Sequence, residues 1–281
     1  MRIGFHVSIA GGIQLSVRRA LDVGCNTMQI FSHSPRMWKM SDIPGTEAEA
    51  FKKARAESGI SPVFVHTSYL INIASGSREL YEKSIAALRL ELLRADEIGA
   101  DCVVMHLGSA TGPENPNPLP RVALALKRAF DGPEVKARLL LENTAGQRGN
   151  VGSRYEEVAE IIRLAGIDSL GVTVDTCHSF GAGYDFRTRK GLDDAIKAME
   201  QTFGLGRVGL IHLNDSKFPL GSRRDRHEDI GKGFIGPDAF GRILNHPKLR
   251  EKPFVMETPK DTPDDDRRNM AVAQALIKKR K

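Results

Sequence analysis

The sequence predicts an α/β fold, a single (β/α)8 barrel spanning residues 1–281, and three observations carry that expectation. Short apolar runs recur along the chain at barrel spacing, each followed by a stretch of helical pattern. Runs such as CVVM, RLLLE, VGLIH and PFVME are almost unbroken in apolar residues, as strands buried on both faces of a parallel sheet must be. The length suits one barrel, which typically needs roughly 250 residues.

Ile3 to Val7, Thr27 to Phe31, Pro62 to His66 and Asp101 to His106 read as the first four strands. Arg138 to Glu142, Leu170 to Asp175, Arg207 to His212 and Pro253 to Glu257 complete the eight. Strand then helix, repeated eight times, points to a barrel rather than an open doubly wound sheet. Gly11 and Gly12 read as a tight loop into the first helix. Thr46 with Glu49 and Ser153 with Glu156 have the spacing of capping boxes. Pro237 and Pro263 follow Gly236 and Thr262 and suit the first helical position, where proline's missing N–H costs nothing. Ser77 to Ile98 forms a surface helix with a buried stripe of Leu80, Ile85, Leu88, Leu92 and Leu93. PENPNPLP (113–120) reads as a loop of the fourth unit, and the terminal KKRK (278–281) as a solvated end.

Hydrophobic residues make up 41% and charged residues 27%, ordinary for a globular chain with a sizeable core. A net charge of +6 leans toward a polyanionic partner. Cys25, Cys102 and Cys177 are scattered, which excludes a disulfide framework and fits a reducing compartment. The opening MRIGFHV reads as a strand, not a leader. No apolar run approaches the ~18 residues of a membrane helix. A cytoplasmic protein is the expectation.

The strand ends are chemically unusual. Turn residues are normal there, yet the runs end at or near His6, His66, His106, Glu142, Asp175, His212 and Glu257. A lone histidine beside a strand is usually a hydrogen-bonded rim residue; seven polar residues at equivalent positions, converging on one mouth, are a site. Crowded carboxylates repel one another unless cations neutralise them. Imidazole and carboxylate without clustered thiolate suit Zn²⁺, with Mn²⁺ or Fe²⁺ also admitted. His178, three residues beyond Asp175, and the pair Asp225 and His227 in the loop after the seventh strand extend the cluster. Four carboxylates against three divalent ions leave a net charge of about +2, which attracts a phosphodiester.

The stretches GFHVSIAGG (4–12), HTSYLINIAS (66–75), ENTAGQ (142–147), DTCHSFGAGYD (175–185), HLNDSK (212–217), GSRRDRHEDIGKGFIG (221–236) and METP (256–259) resemble the endonuclease IV family of apurinic/apyrimidinic endonucleases, over essentially the whole chain. The resemblance implies a xylose-isomerase-like barrel and a trinuclear zinc site. One ion takes His66, His106 and Glu142; a second takes Glu142 as a bridge with Asp175, His212 and Glu257; the third takes His178, Asp225 and His227. It implies hydrolysis of double-stranded DNA on the 5′ side of an abasic site, leaving a 3′-hydroxyl and a 5′-deoxyribose phosphate, with trimming of blocked 3′ ends. Glu142 and Glu257 are the implied catalytic residues, orienting the attacking oxygen. Arg36, Tyr69 and Leu70 are the implied DNA contacts at a kinked, everted lesion, and a monomer is implied. Arg148, where the family pattern has glycine, and Asp229, where histidine often stands, depart from it without touching the nine ligands.

Simpler readings stand beside these. Tyr69 and Leu70 also fit a small core anchoring their loop, and Arg36 a surface stack on Trp38. Lys217, Arg223, Arg224 and Arg226 suit phosphates, or a charged loop held by its own Asp225 and Glu228. Gly231, Gly233 and Gly236 match G-x-G-x-x-G, but no strand precedes them directly, so no nucleotide cofactor is expected. His33 and His246 read as surface or capping residues, Cys177 as a buried structural thiol, and His6 as a neighbour of the ligands. The rival functions are a metal-dependent sugar isomerase or epimerase on the same barrel, and a non-catalytic binder of damaged DNA.

Overall fold

In the computed structural model, which describes residues 1–110 and 117–278, every expected strand forms within one residue of its predicted bounds. Parts of the 113–120 loop and of the basic terminal run lie outside the described residues. The barrel strands are β1 (Arg2–His6), β2 (Thr27–Phe31), β3 (Val63–His66), β4 (Cys102–His106), β5 (Arg138–Glu142), β6 (Gly171–Asp175), β7 (Val208–His212) and β10 (Pro253–Met256). They close in the order β1-β10-β7-β6-β5-β4-β3-β2, all neighbours parallel. A two-residue antiparallel hairpin, β8 (Asp215–Ser216) with β9 (His227–Glu228), stands in the loop after β7. Around the barrel run α1 (Leu15–Asp22), α2 (Gly45–Ser58), α3 (Arg78–Glu97), α4 (Leu119–Phe130), α5 (Tyr155–Ala165), α6 (Thr176–Ala182), α7 (Arg189–Thr202), α8 (Pro237–Asn245) and α9 (Asp265–Leu276).

Strand period decides what fills the barrel and what rims it. Phe64, Val104, Leu140, Leu210 and Val255 form a separate apolar cluster, each fully buried. They come from β3, β4, β5, β7 and β10, and plug the interior. On β1 the plug level is occupied by Gly4, where a Cβ would lie 1.8 Å from the Thr27 carbonyl oxygen; only glycine fits. Residues two apart on a strand share a face, so the next inward position toward the C-terminal end is His66, His106, Glu142, His212 and Glu257.

The helix ends depart from expectation in three places. Helix α2 begins at Gly45 after Pro44, so Thr46 sits inside the first turn and caps nothing. Helix α5 begins at Tyr155, and Glu157, not Glu156, gathers the N–H groups of Gly152, Ser153 and Arg154 at 3.0, 3.0 and 3.4 Å. Pro237 does open α8, but α9 starts two residues beyond Pro263, where Asp265 holds Thr262 through its N–H and hydroxyl. Ser77 caps α3 as the helix boundary required, accepting from Leu80 N–H. Its stripe is shifted, however: Leu93 is 38% exposed, and Tyr81, Ser84 and Glu91 are buried in its stead.

Glu91 also corrects the reading of His33 as a surface residue. His33 is buried, its Nδ1 3.5 Å from the fully buried Glu91 carboxylate. The same carboxylate accepts from Ser32 Oγ at 2.7 Å and from Ser68 N–H at 3.0 Å. Arg94, one turn on, donates to Ser32 O and Ser41 O, both at 2.7 Å. This network ties together the loops after β2 and β3, which carry Arg36 and Tyr69. Glu91→Ala leaves these donors buried without their acceptor and is expected to cost roughly 3 kcal/mol, read as a lowered urea midpoint; an unchanged midpoint would show that other contacts hold the loops.

Candidate metal centre and nucleic-acid interface

Eight inward positions form the ring above the plug: His6, Gln29, His66, His106, Glu142, Asp175, His212 and Glu257. Gln29 is the member that sequence reasoning missed, because it lies within β2 and glutamine is a poor metal ligand. Its signal is positional, two residues beyond inward-facing Thr27. Fully buried, it donates from Nε2 to Glu257 Oε1 at 2.6 Å and accepts from His212 Nε2–H at 2.9 Å. His6 Nδ1 stands 2.9 Å from Gln29 Nε2 and 3.1 Å from Glu257 Oε1, which makes it a neighbour of the ligands, as expected.

The nine candidate ligands gather into three groups, each with its ligand atoms within 4.8 Å of one another: His66, His106 and Glu142; Glu142, Asp175, His212 and Glu257; and His178, Asp225 and His227. Glu142 is shared. His66 Nε2 lies 3.3 Å and His106 Nε2 3.7 Å from Glu142 Oε2. His212 Nδ1 lies 3.0 Å from Glu142 Oε1 and 3.4 Å from Glu257 Oε2. His178 Nε2 and His227 Nε2 lie 3.2 and 3.4 Å from Asp225 Oδ1. Two ligands about 2.0–2.1 Å from a tetrahedral zinc stand roughly 3.3 Å apart, so these spacings fit a cation between them. His227 Nε2 is buried and lacks a hydrogen-bond partner, a lone pair aimed into the third group.

Four imidazoles are oriented through their other nitrogen. His66 Nδ1–H donates to Thr67 O at 2.8 Å, His178 Nδ1–H to Asn143 O at 3.0 Å, and His227 Nδ1–H to Glu257 O at 3.0 Å; His212 uses Gln29. Ligating histidines are typically fixed in this way. Asp175 caps α6, accepting His178 N–H at 2.8 Å. The Asp-Thr-Cys-His spacing is therefore the geometry of an N-cap that places His178. Asn214 donates to Asp175 Oδ2 at 2.6 Å and accepts Glu257 N–H at 2.7 Å. Asn143 directly follows a ligand in the chain and Asn214 lies two residues beyond one, and nothing in their spacing announces this role. Cys177 also lies within reach of Asp175 and His227, but burial pushes its thiol up to about 12 and it faces Arg226 O at 3.7 Å. It is the buried thiol the sequence suggested.

Burial opposes charge in this mouth; around Glu142, His178 and His212 the carboxylate–imidazole pairs overcome it, whereas at His106 burial prevails and the imidazole is lowered. Glu142 is pushed up by burial yet held well below the usual range by His106 and His212. Burial lowers His212, but Glu257 and Glu142 outweigh it and raise the imidazole to about 9. His178 is likewise held well above its ordinary value, by Asp175 and Asp225 against burial. Protons thus do the neutralising that cations would do.

Around the mouth, Tyr69 is 63% exposed and stands edge-on to Phe31, ring centroids 5.3 Å apart. Leu70 beside it is half-buried, and Arg36 is exposed. Burial raises the Tyr69 phenol, and the charge of Arg36 pulls the other way. Trp38 takes Lys83 over its ring at 4.6 Å, which corrects the reading of Arg36 as its partner. Lys217, Arg223, Arg224 and Arg226 are exposed. Asp225 pairs with His178 and His227 and not with these four cations, and Arg224 lies over Phe218 at 4.5 Å. Among the described residues no helix is long and apolar enough to cross a membrane.

The family described as xylose isomerase-like TIM barrel matches residues 17–280. The chain is 46% identical over 278 residues to the probable endonuclease 4 of Methanoculleus marisnigri, covering 98% of each. It is 44% identical to that of Solibacter usitatus, over 98% of this chain and 97% of the relative. The crystal structure of endonuclease IV from Thermus thermophilus superposes with a TM-score of 0.88 at 38% identity, over 98% of both chains. This chain belongs to the endonuclease IV family. With the family comes the class of enzyme, a metal-dependent endonuclease of DNA repair. A D-tagatose 3-epimerase-like protein also superposes, with a TM-score of 0.73 at 18% identity; that likeness is one of fold.

Because His212 is raised to about 9, it carries a proton below that pH that a cation must expel. Adding Zn²⁺ to the metal-free protein at pH 7 is expected to release protons, with release fading and affinity levelling as pH passes about 9. Calorimetry in two buffers of different ionisation enthalpy measures this; zero release at pH 7 would show a neutral His212.

Proposed function

We propose that this chain is a single-domain, monomeric, cytoplasmic DNA-repair endonuclease with three zinc ions. In this reading it hydrolyses the phosphodiester 5′ to an abasic site in double-stranded DNA, leaving a 3′-hydroxyl and a 5′-deoxyribose phosphate, and trims blocked 3′ ends. The observation that carries it is the third group, His178 on α6 with Asp225 and His227 from the segment after β7, beside two groups that share Glu142. The donor set of imidazoles and carboxylates suits zinc, with Mn²⁺ or Fe²⁺ as substitutes. Divalent cations held there supply Lewis acidity and a clamp on the phosphate oxygens.

The protein's own part is to orient and to exclude. Glu142 has both oxygens committed to neighbouring imidazoles and cannot swing. Glu257 is tied through Oε1 to Gln29, leaving Oε2 toward the mouth and His212; in this reading the two carboxylates orient the attacking oxygen. Tyr69, Leu70 and Arg36 fill the gap left by an everted nucleotide, as apolar and aromatic wedges do in kinked duplexes. Lys217, Arg223, Arg224 and Arg226 take flanking phosphates.

Nicking of an abasic duplex tests the reading directly. Prolonged chelation is expected to abolish cleavage and Zn²⁺ to restore it; cleavage undiminished after metal removal would sink the proposal. Tyr69→Ala is expected to lower cleavage of abasic duplex by about 10- to 100-fold, the cost of a lost stacking contact of about 1–3 kcal/mol, with metal content unchanged by elemental analysis. Replacing Arg223 and Arg224 together with alanine is expected to flatten the log–log salt dependence of DNA binding by about 1–2; an unaltered slope would place both away from the phosphates.

A further inference from the structure

The G-x-G-x-x-G stretch has an occupant. Asp215, fully buried, accepts five backbone N–H groups. Its Oδ1 takes Ser216 N at 2.7 Å and Ile235 N at 2.9 Å, and its Oδ2 takes Gly231 N at 3.0 Å, Gly233 N at 3.0 Å and Gly236 N at 3.3 Å. Successive backbone N–H groups curled in this way make an anion-binding concavity. The glycines are needed for it: Gly231 and Gly236 have φ of 82° and 80°, and a Cβ on Gly233 would lie 2.4 Å from Ser216 O and 2.5 Å from Asp215 Oδ1. The concavity that elsewhere holds a phosphate here holds the chain's own carboxylate.

Its position gives the contact a purpose. Asp215 and Ser216 form β8, and β8 pairs with β9 through Asp215 opposite Glu228 and Ser216 opposite His227. Asp225 and His227, two of the three donors in the third group, therefore ride on a hairpin clamped from behind. We propose that Asp215 is a positioning residue for that group: filling the concavity locks the hairpin so that Asp225 and His227 meet His178. The inference rests on the three-ion reading, and goes beyond it in naming what holds the third site together.

Asp215→Ala leaves five donors around a space the size of a small carboxylate. Zinc is counted by elemental analysis after dialysis at limiting Zn²⁺. Wild type is expected to retain three ions and the variant two, the third held about 10- to 100-fold more weakly. Formate is expected to restore the third ion, and formamide, of the same shape without the charge, not to. In the metal-free proteins, exchange of the Ser216, Gly231, Gly233 and Ile235 amides is expected to quicken in the variant while the barrel strands stay protected. Three ions retained by the variant, or loss of all ions together with the fold in both Asp215→Ala and Asp215→Asn, overturns the positioning role. Fewer than three ions in wild type overturns the three-ion reading instead, and amide exchange then decides the role of Asp215 alone: unchanged exchange rejects it.

Discussion

Negative charge crowded into a largely buried mouth governs this molecule. Glu142 and Asp175 are fully buried at the barrel mouth, with Glu257 and Asp225 close by. Burying a carboxylate costs several kcal/mol unless a partner of opposite charge or a set of donors stands against it. The surroundings answer that demand. Five imidazoles turn a nitrogen inward, four of them bonded outward through the other nitrogen, and Glu142 is held down while His178 and His212 are held up. A mouth so arranged holds protons when metal-free and yields them to cations, so its chemistry depends on a competition between the two.

The same physics recurs at smaller scale in the loops. Glu91 gathers Ser68 N–H beneath the loop bearing Tyr69; Glu157 gathers three N–H groups at the turn into α5; Asp215 gathers five behind the β8–β9 hairpin. Backbone donors in irregular segments need acceptors, and in each case a single carboxylate supplies them. Loops that must present side chains to a large ligand gain definition without becoming helix or strand.

This division explains what was legible in the chain. The strands were, because residues buried on both faces leave continuous apolar runs, and the ligands at their ends were, because charge at a strand terminus breaks the ordinary pattern. His178, Asp225 and His227 were legible only as additions to a mouth already rich in ligands, and the resemblance then grouped them as one site. Gln29 escaped because it is neutral and lies inside a strand, where only its phase marks it. Asp215 escaped because its partners are main-chain atoms, which carry no residue signature. At Thr46, Ser153 and Pro263 the helix start lies a residue or two from the expected cap, at Pro44, Arg154 and Asp264, and at α5 and α9 a nearby carboxylate takes the free N–H groups.

The separation of plug from ring has a consequence for how such barrels diverge. Phe64, Val104, Leu140, Leu210 and Val255 supply packing, while the residues two steps further along the same strands supply chemistry. A change in the ring alters charge at the mouth and leaves the apolar plug intact, provided the buried partners of the changed residue are satisfied in another way. The D-tagatose 3-epimerase-like protein shares the fold at 18% identity.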